Sequence, residues 1–126
     1  MSSWQDYVDN QLIGAGLIQA AIYDNNNGQL LAASAGVNQP TIDFHTRMNN
    51  PNLMVTHGVM FSGEKYYLFN CEPLYVTGGG NEERGIEIGQ TNTVTIVGIY
   101  PTGYQISMGG MRRVRGIWDF LRAAGN

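Results

Sequence analysis

The chain has 126 residues, a net charge of −3 and only 13% charged residues, with Cys71 its one cysteine. That length fits one domain spanning residues 1–126 whose core needs no covalent staple, and a lone cysteine excludes an internal disulfide. Seven basic against ten acidic residues exclude the broad basic footprint of a general nucleic-acid binder.

Residues 3–13 read as a helix. Ser2 or Ser3 can accept a backbone N–H bond at its start, and Asp6 suits the positive end of its dipole. Trp4, Tyr7, Val8 and Leu12 recur at three- and four-residue intervals, and Gly14 and Gly16 end the run. LIQAAIYD (17–24) and QLLAASAG (29–36) read as strands joined by the Asn-Gly turn of NNNG (25–28). Residues 40–50 read as a short helix that Asn50-Pro51 stops. GVMFSGEKYYLFNCEPLYV (58–76) holds two strands joined at 62–64. TGGGNEERG (77–85) reads as a polar break, after which IEIGQT and NTVTIVGIY are further strands ended by Pro101. Residues 111–124 form the last helix, with Val114, Ile117, Trp118 and Leu121 as its apolar stripe. The order predicts an α+β fold, an antiparallel sheet of about five to seven strands with the two terminal helices over one face.

Catalytic chemistry finds little support. His45 and His57 lack partners at metal-ligand spacing. Cys71 sits in an apolar strand beside Glu72, a setting that raises a thiol pKa, so it reads as a core residue. Glu82 and Glu83 follow three glycines as solvated loop residues. TGGGNEER lacks the Lys-Ser/Thr ending of a phosphate loop. No enzyme, metal or cofactor is expected. No basic segment leads into a long apolar run at the N-terminus, and no stretch approaches 18 apolar residues, which predicts a cytoplasmic protein.

The aromatic residues at the two ends say more. Phe120 falls at the border of the last helix's apolar stripe. If the terminal helices lie side by side, it meets Trp4 and Tyr7 along their seam as a shallow trough. A proline-rich peptide suits such a trough. Its extended helix is already ordered, its rings pack on aromatic faces, and its carbonyls accept bonds from an indole N–H or a tyrosine hydroxyl.

These residues resemble the profilin family. SWQDYVDNQLIGAG carries the resemblance most specifically, and it continues through AAIYD, LLAASAG, GEKYYLF, TVTIVGIYP and the final DFL, in order along the whole chain. It implies a profilin-like central antiparallel sheet, with N- and C-terminal helices on one face and short helical elements on the other. It also implies a non-enzymatic, cytoskeleton-associated protein that binds monomeric actin, regulates filament assembly, and docks proline-rich proteins such as formin-type nucleators. Trp4, Tyr7, Leu31, Phe120 and Leu121 match the proline groove. Leu31 stands where the family usually has Trp, Phe120 where Tyr or His is common, and Asn126 where Tyr often ends the chain. A weakened groove is therefore expected. Lys65, Tyr75, Arg84, Arg112 and Arg113 are the actin-facing candidates. TGGG follows Tyr75 where basic residues are frequent, and Asn92 replaces a common lysine. Arg112, Arg113, Arg115 and Arg122 are candidates for anionic phosphoinositide headgroups. The competing reading is a scaffold module of profilin-like, longin or roadblock type with weak or absent actin binding.

Overall fold

A computed structural model describes residues 3–101 and 113–126. Seven antiparallel strands form one sheet in the order β2-β1-β7-β6-β5-β4-β3. The strands are β1 (Gln19–Asp24), β2 (Leu30–Ala33), β3 (Val59–Phe61), β4 (Glu64–Glu72), β5 (Tyr75–Gly80), β6 (Gly85–Gln90) and β7 (Val94–Tyr100). Helices α1 (Trp4–Asp6), α2 (Asn52–Val55) and α3 (Arg113–Ala123) complete the frame.

The first helix is less regular than its apolar spacing suggests. Ser3 and Asp6 form a reciprocal capping box: the Asp6 N–H donates to Ser3 Oγ at 3.1 Å and the Ser3 N–H to Asp6 Oδ2 at 3.2 Å. After α1 the backbone widens into a π turn over Tyr7–Leu12, then tightens into a 3₁₀ turn over Ile13–Ala15. Gly16 ends it at φ 113°, a left-handed value that glycine adopts without Cβ strain. At the other end of the chain α3 closes with a Schellman motif. The Asn126 N–H donates to Leu121 O and the Gly125 N–H to Arg122 O, with Gly125 at φ 91°.

Each face of the sheet buries its own apolar cluster. On one face Val8, Leu12, Ile22, Ile96, Val114, Ile117, Trp118 and Leu121 pack under the terminal helices. On the other, Tyr23, Phe44, Met48, Met54, Phe61, Tyr66, Ile86 and Val97 pack under a 3₁₀ turn (Phe44–Arg47) and α2. The alternation along β6 and β7 serves both, since even- and odd-numbered side chains point to opposite faces.

The segment 77–85 departs from the expected polar break. TGGG continues β5 through Gly80, because glycine here answers a steric need that carries no strand propensity. A Cβ at Gly78 would overlap the Tyr67 carbonyl oxygen, and one at Gly80 would lie 2.7 Å from the Tyr66 ring. The break is confined to Asn81–Glu83, where Glu82 and Glu83 both have φ 58°. The expected helix over 40–50 is reduced to the 3₁₀ turn over 44–47, which ends before Pro51, and Pro51 instead opens α2, an element the sequence pattern did not suggest. Ser62 and Gly63, both at positive φ, make the two-residue turn between β3 and β4.

The sheet curls until its two edges communicate. Gln39, in the loop after β2, accepts from the Ser62 N–H at 2.7 Å and donates to Met60 O at 3.3 Å. Ser62 Oγ donates to Gly36 O at 3.2 Å. The Tyr23 hydroxyl donates to Gln39 O at 2.9 Å, and burial pushes its pKa up to about 12.

Two glycines give opposite expectations. Gly78→Ala forces a Cβ onto backbone and should cost 2 kcal/mol or more, on the order of an overpacked core site. Gly116→Ala, in the middle of α3 with open space at its Cβ position, should stabilise by about 1 kcal/mol. Urea denaturation of both variants checks the pair; equal effects would contradict the packing described.

Candidate functional site

The terminal helices lie together. α3 packs against the π turn of the N-terminal segment, while α1 packs on β2. Trp4 and Tyr7 are half-buried, resting on the apolar cluster beneath the helices. Their ring centroids are 5.7 Å apart with planes inclined by 36°, a tilted pair that leaves ring surface outward. Phe120 is 61% exposed on α3. Among the described residues it makes no ring pair with Trp4 or Tyr7. The ring contact that the spacing predicts between Phe120 and the Trp4–Tyr7 pair is thus not among those formed by the described residues.

Leu31 is 45% exposed for a reason the sequence does not advertise. Ile22 pairs with Ala32 and Tyr23 with Leu30, so Leu31 has no partner on β1. It is the extra residue of a β-bulge, which turns its side chain outward. Leu121 differs from expectation. At 3% exposure it belongs to the core under α3 and offers no docking surface of its own.

Tyr75 also requires correction. Its side chain is 1% exposed and faces Trp118, with centroids 4.9 Å apart, so it cannot be a direct surface contact. Trp118 is itself buried, and its Nε1–H donates to Gln90 O at 2.8 Å. The Arg115 guanidinium stacks 4.8 Å from the Tyr75 ring and 4.7 Å from the Trp118 ring, and pairs with Glu72 at 3.3 Å. Arg122 stacks on Trp118 at 4.2 Å. These two headgroup candidates thus cover an aromatic pair, and the charge of Arg115 is met by Glu72 and by Asp119 at 3.8 Å.

Arg113, half-buried at the start of α3, borders a cleft of about 460 Å³ with Asn10, Gln11, Gly14 and Gly116. Arg112 lies outside the described residues. Arg84 pairs with Glu82 at 3.0 Å, and Lys65 sits 5.3 Å above the Tyr67 ring. The structure thus places Lys65 and Arg84 toward the β3 side of the sheet and Arg113 beside the N-terminal segment.

Sequence reasoning missed Tyr67 and Phe69, which are 58% and 71% exposed. The signal was present in KYYLF: Tyr66 and Leu68 point into the core, so the alternate residues must point out. Opposite Tyr67 β5 supplies Gly79, and Phe69, left unpaired at a register shift between Leu68 and Asn70, lays its ring over that glycine. Cys71 packs at the edge of the second cluster, and burial raises its thiol pKa. Among the described residues no three or more His, Cys, Asp or Glu converge as a metal site. No described helix is long and apolar enough to cross a membrane.

The Profilin family model matches residues 2–126. The chain belongs to the profilin family. Profilin-1 of Dictyostelium discoideum is 35% identical over 98% of both chains. The profilin of Schizosaccharomyces pombe is 34% identical over 79% of this chain and 80% of its own length. Among solved structures, Acanthamoeba castellanii profilin IB superposes with a TM-score of 0.83 at 25% identity, covering 98% of this chain and all of its own. Mouse profilin IIa, solved in complex with a double repeat from the FH1 domain of mDia1, shares the fold with a TM-score of 0.78 at 18% identity, covering 99% of this chain and 100% of its own. The curled seven-stranded sheet with its helical cover is the profilin fold, which sets aside the longin and roadblock architectures.

Proposed function

We propose that the chain is a cytoplasmic, non-enzymatic regulator of actin assembly that binds actin monomers and docks proline-rich peptides in the seam between its terminal helices. The observation that carries the docking reading is the tilted Trp4–Tyr7 pair, half-exposed beside an α3 that turns Phe120 to solvent. The FH1 repeat in the mouse profilin complex is a ligand of that relative, and it gives the ligand class to try first. A polyproline helix brings no new ordering cost, and each ring contact is worth about 0.5–1.5 kcal/mol. With Leu31 in place of an indole, the groove should bind weakly.

Decaproline titrated against tryptophan emission tests this reading. Trp118 is buried and hydrogen-bonded, so the change should come from Trp4 and disappear in Trp4→Phe. Saturation is expected below millimolar peptide, and Phe120→Ala should weaken it roughly two- to tenfold. No saturation at millimolar peptide would defeat the groove.

For actin we infer a contact through the outer row of β4, where Lys65, Tyr67 and Phe69 are exposed, with Arg84 as the polar candidate on that side of the sheet; Arg113, beside the N-terminal segment, and Arg112, outside the described residues, remain separate candidates. Tyr75 enters only as support beneath Arg115. With Arg84 paired to Glu82 and glycines in β5, exposed apolar area outweighs charge in this contact. Each exposed ring buried against a partner is worth more than a screened surface ion pair. In a pyrene-actin assay, dose-dependent monomer buffering should appear and change little between low and moderate salt. Phe69→Ala should reduce it more than Lys65→Ala; the reverse ranking would favour electrostatic capture.

Weak binding of phosphoinositide headgroups falls to Arg112, Arg113 and the exposed side of Arg122. Sedimentation with phosphoinositide-containing vesicles should show binding that fades as salt rises, and salt-independent binding would argue against it.

A further inference from the structure

The ring pair of the groove sits on a weak foundation. α1 is only three residues long and passes directly into the π turn, so few regular helical hydrogen bonds hold its first turn. The capping box ties Ser3 to Asp6 within the turn but not to the sheet. Among the described residues, the side-chain hydrogen bonds from α1 to the sheet come from Gln5. Its Nε2 donates to Ala33 O at 2.9 Å and its Oε1 accepts from the Ala33 N–H at 3.3 Å. Nε2 also donates to Asp9 Oδ1 at 3.0 Å, which orients the amide. A primary amide read against both backbone groups of one residue reproduces the pairing of a neighbouring strand.

The residue gripped is not arbitrary. Ala33 ends β2, two positions beyond Leu31, the bulge residue tipped toward solvent. Trp4 is the chain neighbour of Gln5, and Tyr7 stacks on Trp4. We propose that Gln5 is a positioning residue of the proline groove: its amide clip on Ala33 sets the Trp4–Tyr7 pair at a defined offset from Leu31. This rests on the groove reading above and adds to it a residue that need not touch the ligand. The requirement is physical. A polyproline helix is rigid and rises about 3.1 Å per residue, so its contact points must be spaced to match it. Rings that slide along the β2 edge meet the peptide in only part of their conformations, and apparent affinity falls by the competent fraction. The same clip also satisfies strand-edge groups that could otherwise recruit another chain.

The test is a double-mutant cycle on decaproline affinity, read by Trp4 emission. Gln5→Met keeps length and volume but removes all three hydrogen bonds. Its melting temperature should stay close to wild type, since Gln5 is exposed, while the dissociation constant rises about three- to tenfold, the scale of one net hydrogen bond. Leu31→Ala should weaken the wild type measurably yet have little further effect in the Gln5→Met background, because the offset that Gln5 sets is already lost. A purely structural role would lower thermal stability and leave the two substitutions additive. Should Gln5→Met melt early, Gln5→Glu, of equal length and polar, is measured in its place. The failures are separable. If the wild type never saturates, the groove reading falls and this inference with it. If the wild type saturates and Gln5→Met binds equally well, or the cycle is additive, only the role of Gln5 is overturned.

Discussion

Two missing side chains on the sheet set the arrangement on which the site depends. A Cβ at Gly98 would lie 2.5 Å from Val114 Cγ2 and 2.6 Å from Leu17 Cδ2, and one at Gly89 would lie 2.9 Å from the Trp118 ring. At these points β6 and β7 give up side chains so that α3 can sink onto them. The helix then comes low enough for its apolar stripe to join Val8 and Leu12 in one buried cluster. Once α3 and the N-terminal segment share that core, the surface along their seam is decided. Residues on the stripe are buried, and those at its margin, Trp4, Tyr7 and Phe120, face out. The aromatic seam is a by-product of close helix-on-sheet packing, held there by interior contacts that loop flexibility cannot supply.

The same seating explains why the arginine-rich end of the chain is less of a cationic surface than its composition suggests. Trp118 is pressed against Gly89 and Tyr75, and its outer face needs cover. Arg115 and Arg122, three residues before and four after it on the helix, supply that cover with planar guanidinium groups. Stacking leaves their charge in place but limits their reach. Glu72 and Asp119 then compensate Arg115. Among the described residues, aromatic rings reach the surface on two flanks: Tyr67 and Phe69 on one, Phe120 with the half-buried Trp4 and Tyr7 on the other. Recognition by such surfaces depends on shape and apolar area more than on steering.

Regular packing was legible in the sequence, and irregular backbone was not. β1, β3, β4, β6, β7 and α3 follow from periodicity because each must turn alternate or every third and fourth residue to a core. β5 was hidden because Gly78, Gly79 and Gly80 are there to avoid clashes, and an avoided clash has no local signature. α2 was hidden because Pro51 can close one helix or open another. Tyr75 looked like a surface residue until the partner strands and Trp118 were in place around it. Tyr67 and Phe69 could have been read from the alternation of KYYLF alone. The bulge at Leu31 could not, since it arises from a register shift against Ile22 and Tyr23, a relation between two strands.

Two of the elements that carry residues of the proposed groove are built from such irregularities: a three-residue helix running into a π turn, and a strand with an extra residue. Each departs from the regular hydrogen-bond pattern, and each also feeds the core: Val8 and Leu12 project into it from the π turn, and Ala32 from beside the bulge residue. One glutamine amide bridges the two distortions, which turn Leu31 and part of the Trp4–Tyr7 pair outward. In the groove proposed above, the backbone distortions that present Trp4, Tyr7 and Leu31 therefore matter as much as the identities of those side chains.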